Sequence, residues 1–232
     1  MGGHQAKRAL ADSLGNLKKC HKLPRPELSV VLAESRSSVW SDDRAAEAAY
    51  QTGKVQNLRR AADEIDGIFL PAGATFSFWK QVGRTSKRRG YTVGRMLQEG
   101  CVIPAVGGGL CQLSNALYDV AMQVGCEIVE RHAHSMLVPG SAAANGRDAT
   151  VAWNYIDLRF RARWPMMIRT QICRDELVVQ FYGRAEVSMA LSRRAITPSL
   201  SRAANSAVAH DAAHTCGTCE QSACFRHEGR HG

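Results

Sequence analysis

Residues 106–125 read VGGGLCQLSNALYDVAMQVG, and the reading of this stretch decides what kind of domain the chain builds. Leu113, Leu117, Val120, Ala121 and Val124 fall on one helical stripe, and Gly125 is a natural terminator. Gly107, Gly108 and Gly109 suit a helix interior poorly. The helix is therefore expected from about Leu110, with Cys111 in its first turn. On the helical wheel Cys111 shares a small polar face with Ser114, Asn115 and Tyr118, opposite the apolar stripe.

Downstream of this helix the pattern changes to β. The segments 126–138 (CEIVERHAHSMLV) and 148–161 (DATVAWNYIDLRFR) read as strands, and 166–182 reads as a hairpin turning at Arg174-Asp175. Upstream, Ser41-Asp42-Asp43 is a good helix start leading through Tyr50. After Gly53, a second helical stretch carries Val55, Leu58, Ala62 and Ile65 on one face and ends at Asp66-Gly67. The segment IFLPAGATFSFWKQVG reads as β, with Phe76 and Phe78 on one buried strand face. Helices first and then antiparallel strands give an α+β fold: N-terminal helices and a central Cys-bearing helix packed on an antiparallel sheet. Residues 1–27 are expected to form a flexible arm, 28–184 the domain, 185–209 an aperiodic linker and 210–232 a small Cys-rich tail. The run LSVVLA at 28–33 is a candidate edge strand.

The chain has 232 residues, 45% of them hydrophobic and 22% charged, which excludes a wholly disordered or collagen-like protein. No stretch approaches the roughly 18 consecutive apolar residues of a membrane helix. The N-terminus lacks the apolar run of an export signal, so a cytoplasmic protein is expected. The net charge of +9 attracts anions. Lys80, Arg84, Lys87, Arg88, Arg89 and Arg95 form one local run without an acid and read as a solvated basic loop. With no RNP motif and no spaced stacking aromatics, nucleic acid is not the expected partner.

A thiol at a helix N-terminus is stabilised as thiolate by unpaired amides and the macrodipole. Glycines just before it let a substrate approach backbone amides, which suit a developing oxyanion. A base and an orienter complete such a site. His132 and His134 share one strand face downstream, and Asp148, Asp157 and Asn154 compete as orienter. The order of Cys on a helix start, His on a strand and Asp near the next resembles the papain-like and transglutaminase-like thiol enzymes. Three other readings stand beside it: a structural cysteine packed behind a glycine run, a pocket that binds without turnover, and metal binding by Cys111 with His132 and His134.

The strings GGGLCQLSNALYDVAMQVGCEIVERHAHS and GRDATVAWNYIDLRF, with PAGATFSFWKQVG upstream, resemble the VanW-like family from about Leu28 to Gly183. That family is named from bacterial vancomycin-resistance clusters. The resemblance implies an accessory role around cell-wall biology or antibiotic response rather than a defined reaction. The family's shared positions fall here on Gly107, Gly108, Gly109, Cys111, Gln112, Arg131, His134, Ser135, Asp148, Ala149 and Asp157. This selects His134 over His132 as base. The catalytic candidates are then Cys111, His134 and Asp148. The ligand-binding candidates are the three glycines, Gln112, Ser114, Asn115, Arg131, His132 and Ser135. The expected ligand is a small molecule or peptide, such as a cell-wall precursor.

The tail places His214, Cys216, Cys219, Cys224 and His227 close together. Cys216, Cys219, Cys224 and His227 make a candidate Cys3His zinc site, with an iron–sulfur cluster as the alternative. The remaining cysteines, Cys20, Cys101, Cys126 and Cys173, read as scattered small apolar residues.

Overall fold

A computed structural model describes residues 17–40, 48–98, 101–133 and 147–195. The α+β class is as expected. The elements in chain order are β1 (Val30–Ser38), α1 (Ala48–Ile65), β2 (Ile68–Leu70), β3 (Thr75–Ser77), α2 (Phe78–Val82), a 3-10 turn (Lys87–Arg89), β4 (Val93–Gln98) and β5 (Cys101–Val106). They continue with α3 (Cys111–Gln123), β6 (Glu127–Glu130), β7 (Arg159–Arg161), β8 (Met166–Cys173), β9 (Glu176–Gly183) and α4 (Ala185–Ala195). All described strand pairs are antiparallel. They form a sheet ordered β1-β9-β8-β2, a second ordered β3-β7-β6 and the hairpin β4-β5.

The β8–β9 hairpin turns at Arg174-Asp175, as its sequence indicates, with Arg174 at φ 52°. Along β8, Met166, Ile168 and Thr170 point inward and their neighbours outward. That alternation suits a strand with one buried face. β9 lies between β1 and β8, and Leu177, Val178 and Val179 are all buried. Both of its faces are covered, which explains the unbroken apolar run. α1 crosses β8 and α3 packs on β1 and β9. The stripe Leu113, Leu117, Val120, Ala121 and Val124 is fully buried, as read from its spacing. Each such leucine contributes about 1.5–3 kcal/mol of transfer free energy. Phe160 joins the layers, stacking on Phe76 at 4.7 Å and tilting against Phe181 at 5.7 Å.

Several local expectations need correction. Gly53 does not separate two helices. One helix runs through it, and the glycine makes room for β4, since a methyl there would sit 1.8 Å from the Val93 carbonyl oxygen. Phe76 and Phe78 are both buried, but only Phe76 is in a strand. Ser77 caps α2 by accepting from the Lys80 amide. The stretch 148–161 is mostly irregular, with a turn closed between Ala152 and Ile156 before the short β7. The β4–β5 hairpin was not read from the sequence. Residues 185–195 form α4 rather than linker, with Val187 buried and Leu191 packed on the core. The end of the N-terminal arm is also engaged: Lys22 bridges Ile68, and the Phe69 amide donates to the His21 carbonyl. The helix start at 41–43 lies outside the described residues. No helix among the described residues is long and apolar enough to cross a membrane.

Candidate functional site around Cys111

The glycine run is a turn that ends β5 and aims the chain into α3. The Gly107 amide donates to Thr92 and the Gly108 amide to Ala105, both at 2.9 Å. Gly107 has φ 81° and Gly109 φ 99°, a region that L side chains rarely adopt. There is also no room for side chains. A methyl on Gly107 would lie 2.6 Å from Thr85 Cβ, and one on Gly108 would lie 2.3 Å from the Gly94 oxygen. Asn57 of α1, fully buried, donates to the Gly108 and Thr92 carbonyls at 3.0 Å and accepts from the Thr92 amide at 2.8 Å. The helix proper begins at Cys111, following Leu110 in helical geometry.

The Cys111 Sγ lies 3.6 Å from Thr150 Oγ1 and 3.9 Å from the Val151 carbonyl oxygen. Ser114 and Asn115 place that neighbouring segment. Ser114 donates to the Ala149 carbonyl at 2.5 Å, and Asn115 accepts from the Ala149 amide at 2.7 Å. The polar helix face therefore holds the chain that covers it. Arg131 does the same from the other side, donating to the Asp148 carbonyl at 2.7 Å and to its carboxylate at 2.6 Å, with its guanidinium 5.3 Å from the Tyr118 ring. The Thr150 amide donates to the His132 carbonyl at 2.8 Å. Gln112 ties α3 to β1, donating to Ser37 and Ser38; its side-chain carbonyl oxygen is buried and has no hydrogen-bond partner among the described residues.

The other sequence candidates fall in several places. His132 faces Glu130 at 3.4 Å. His134 and Ser135 lie outside the described residues. Asp148 is buried, and its carboxylate pairs with Arg131. Asp157 serves a separate network: it accepts from Ser77 at 2.6 Å, the Trp79 amide at 3.1 Å and Arg159 at 2.9 Å. Burial nonetheless outweighs these donors and raises its carboxyl above the ordinary range. Asn154 sits at φ 56° in the turn that carries exposed Trp153 and Tyr155. Asp148 alone of the three orienter candidates belongs to the short stretch that reaches Cys111.

Among the described residues, no group of three His, Cys, Asp or Glu side chains is arranged to hold a metal ion. The tail candidates Cys216, Cys219, Cys224 and His227 lie outside them. Cys126 behaves as a buried apolar residue, its thiol pushed up to about 12 by burial, whereas Cys173 is exposed.

Thr150, Asn57 and Lys54 lie around the site without a mark in the sequence reading, and Arg95, expected in a solvated basic loop, lies on β4 with its backbone against Gly108. For Lys54 a signal existed: with Leu58, Ala61 and Ile65 it lies on the buried stripe of α1, where a lysine is out of place. Thr150 carries no such signal, because its place depends on tertiary contacts.

A family model described as "VanW like protein" matches residues 53–182, from the first half of α1 to the end of β9. The chain belongs to the VanW-like family. The match spans the glycine turn, Cys111, Arg131 and Asp148. The chain is 33% identical over 137 residues to "Vancomycin B-type resistance protein VanW" of Enterococcus faecalis, covering 58% of this chain and 50% of that protein. It is 31% identical over 145 residues to "Uncharacterized protein YoaR" of Bacillus subtilis, covering 62% of this chain and 47% of that one. It thus spans about half the length of the curated relatives it matches. No solved structure matches the chain.

Proposed function

We infer that this VanW-like domain carries a thiol-dependent acyl-transfer or hydrolytic site in an accessory role linked to cell-wall biology or glycopeptide response. The observation that carries the reading is the position of Cys111: the first residue of α3, two residues after the positive-φ Gly109, with a hydroxyl 3.6 Å from its sulfur. A helix start favours thiolate, and the Thr150 hydroxyl adds to this when it donates to the sulfur. In this reading His134 takes the Cys111 proton, and Sγ forms a bond to a substrate carbonyl carbon. The carbonyl electron pair moves to oxygen, held by the amides of Gly109 and Cys111, because those of Gly107 and Gly108 already donate to Thr92 and Ala105. The imidazolium returns its proton to the leaving group, and water or another acceptor then releases the acyl group. Asp148 orients His134. The name of the Enterococcus faecalis relative supports glycopeptide response as the setting, and the proposed substrate is a small ester, amide or peptide of the wall-precursor class.

An activated acyl ester such as p-nitrophenyl acetate tests this reading. The expected result is a burst of nitrophenol with an acetyl adduct on the Cys111 peptide, absent in Cys111→Ala with the fold retained. A folded protein that forms no adduct at Cys111 would overturn it.

The second reading is a binding module. It is favoured by the engagement of Ser114, Asn115 and Gln112 with the protein's own backbone, which makes a rigid cradle. It predicts that Cys111→Ser keeps ligand affinity within a few fold. In either reading the tail, through Cys216, Cys219, Cys224 and His227, is proposed as an appended zinc site for partner recognition. The place of action is proposed as the cytoplasm.

A further inference from the structure

The basic loop between α2 and β4 is pinned in place. Arg89 turns inward: its guanidinium donates to the Val82 carbonyl at 2.7 Å and the Arg84 carbonyl at 3.0 Å, and reaches the Glu64 carboxylate of α1 at 3.2 Å. α1 holds the loop in return, with Arg60 donating to the Arg89 carbonyl at 3.1 Å and Gln56 to the Gly90 carbonyl at 3.3 Å. Arg84, Lys87 and Arg88 are left exposed around this brace. Glu64, the acid that meets the loop, is shared by Arg60 and Arg89. The N-terminal arm adds charge to the same flank. Lys22 donates to the Asp63 carbonyl of α1, and Gln81 of α2 donates to the Cys20 sulfur. Exposed Lys18 and Lys19 directly precede that cysteine. Arg59 is exposed on the same outer strip of α1 as Gln56 and Asp63, and Asp63 is the acid that remains exposed there.

Like charges held in a fixed frame repel one another, and solvent ions weaken that repulsion without removing it. A surface of opposite charge relieves it, and the braced loop meets such a surface without rearranging. The loop's own aromatic, Tyr91, is 2% exposed, so the loop presents no ring on which a nucleic-acid base could stack. Leu23, directly after Lys22, is instead 43% exposed. An apolar side chain among lysines suits a lipid headgroup layer. We propose that this face docks on an anionic phospholipid surface, with its Lys and Arg side chains on the headgroup phosphates and Leu23 at the acyl boundary. The docking does not depend on Cys111 chemistry.

Sedimentation of the full chain with phosphatidylcholine vesicles, with and without about 30% phosphatidylglycerol, tests this. Binding is expected only to the anionic vesicles and should weaken steeply as salt is raised. Each basic side chain near such a surface contributes about fivefold to partition, so Lys87→Gln with Arg88→Gln should weaken it by on the order of twentyfold. Arg36→Gln with Arg184→Gln removes the same net charge from the β1 and β9 side of the sheet, whose opposite edge, β2, bears the arm. That pair should leave partition nearly unchanged, with circular dichroism confirming that both variants are folded. Equal losses in the two pairs would assign the attraction to net charge alone and overturn the docking face. Equal binding to both kinds of vesicle, or binding to neither, would overturn it as well. Tighter binding to a duplex oligonucleotide than to anionic vesicles at equal phosphate concentration would also overturn it, making the partner a nucleic acid.

Discussion

Cys111 Sγ and Thr150 Oγ1 lie 3.6 Å apart although no regular strand pairing brings them together. The contact depends on side chains gripping an irregular segment: Ser114 and Asn115 on Ala149, and Arg131 on Asp148. A hydroxyl that donates to a thiolate stabilises the charged form. Thr150→Val should therefore slow Cys111 alkylation at neutral pH by about tenfold, since a hydrogen bond to a charged group is worth about 1.5–3 kcal/mol. Thr150→Ser should keep the rate near that of the parent. Equal rates in Thr150→Val and parent would show that the hydroxyl is a bystander.

Ser114 is fully buried, and its hydroxyl satisfies the Ala149 carbonyl. Ser114→Ala leaves that carbonyl without its donor, at a cost of about 1–3 kcal/mol. A urea titration should show a lower midpoint with an unchanged slope. An unchanged midpoint would mean that the segment is held without this bond.

Gly108 and Gly73 separate crowding from backbone strain. A methyl on Gly108 runs into the Gly94 backbone at 2.3 Å, whereas Gly73, at φ 80°, has nothing within 4 Å. Gly73→Ala should cost only the left-handed strain of about 1–2 kcal/mol. Gly108→Ala should cost at least about 3 kcal/mol or prevent folding, because neither backbone segment gives way. Thermal melting of the pair checks the order, and a milder Gly108→Ala would contradict the close contact of β4 with the turn.

Lys54 gives the protein a pH signature. The unfolded chain keeps this proton up to about 10.5 and the folded chain releases it near 8, so stability should rise with pH between those values. Below 8 the penalty is fully present, at most about 3 kcal/mol for a shift of this size. The rise should be missing from Lys54→Met in denaturant titrations across that window. A parent protein whose stability stays flat there would contradict a buried, charge-opposed lysine.

The sequence made the fold class legible through periodicity. α3 and the β8–β9 hairpin have long, regular patterns, and their boundaries follow from Gly125 and Arg174-Asp175. Patterns shorter than one element failed. Phe76 and Phe78 look alike by alternation, yet Ser77 starts a helix between them. Gly53 looks like a break until β4 is known to press on it. The 148–161 stretch reads as a strand but is mostly irregular before β7, because the buried Asp148, Ala149 and Asp157 are fixed by side-chain bonds rather than by a ladder. At the site, Cys111 and the glycine turn were readable because helix starts and positive φ leave residue-level marks. Thr150 was not, since threonine in an apolar–polar stretch is ordinary and only the Ser114 and Asn115 grip gives it a place.

The most direct test of the thiol site is the pH dependence of Cys111 alkylation, followed by mass spectrometry on the folded full-length chain and on His134→Ala. The account predicts an apparent pKa well below the free-thiol value of about 8.5, rising when His134 is removed. An unreactive Cys111, or a titration indifferent to His134, would contradict the pair and leave the binding-module reading in its place.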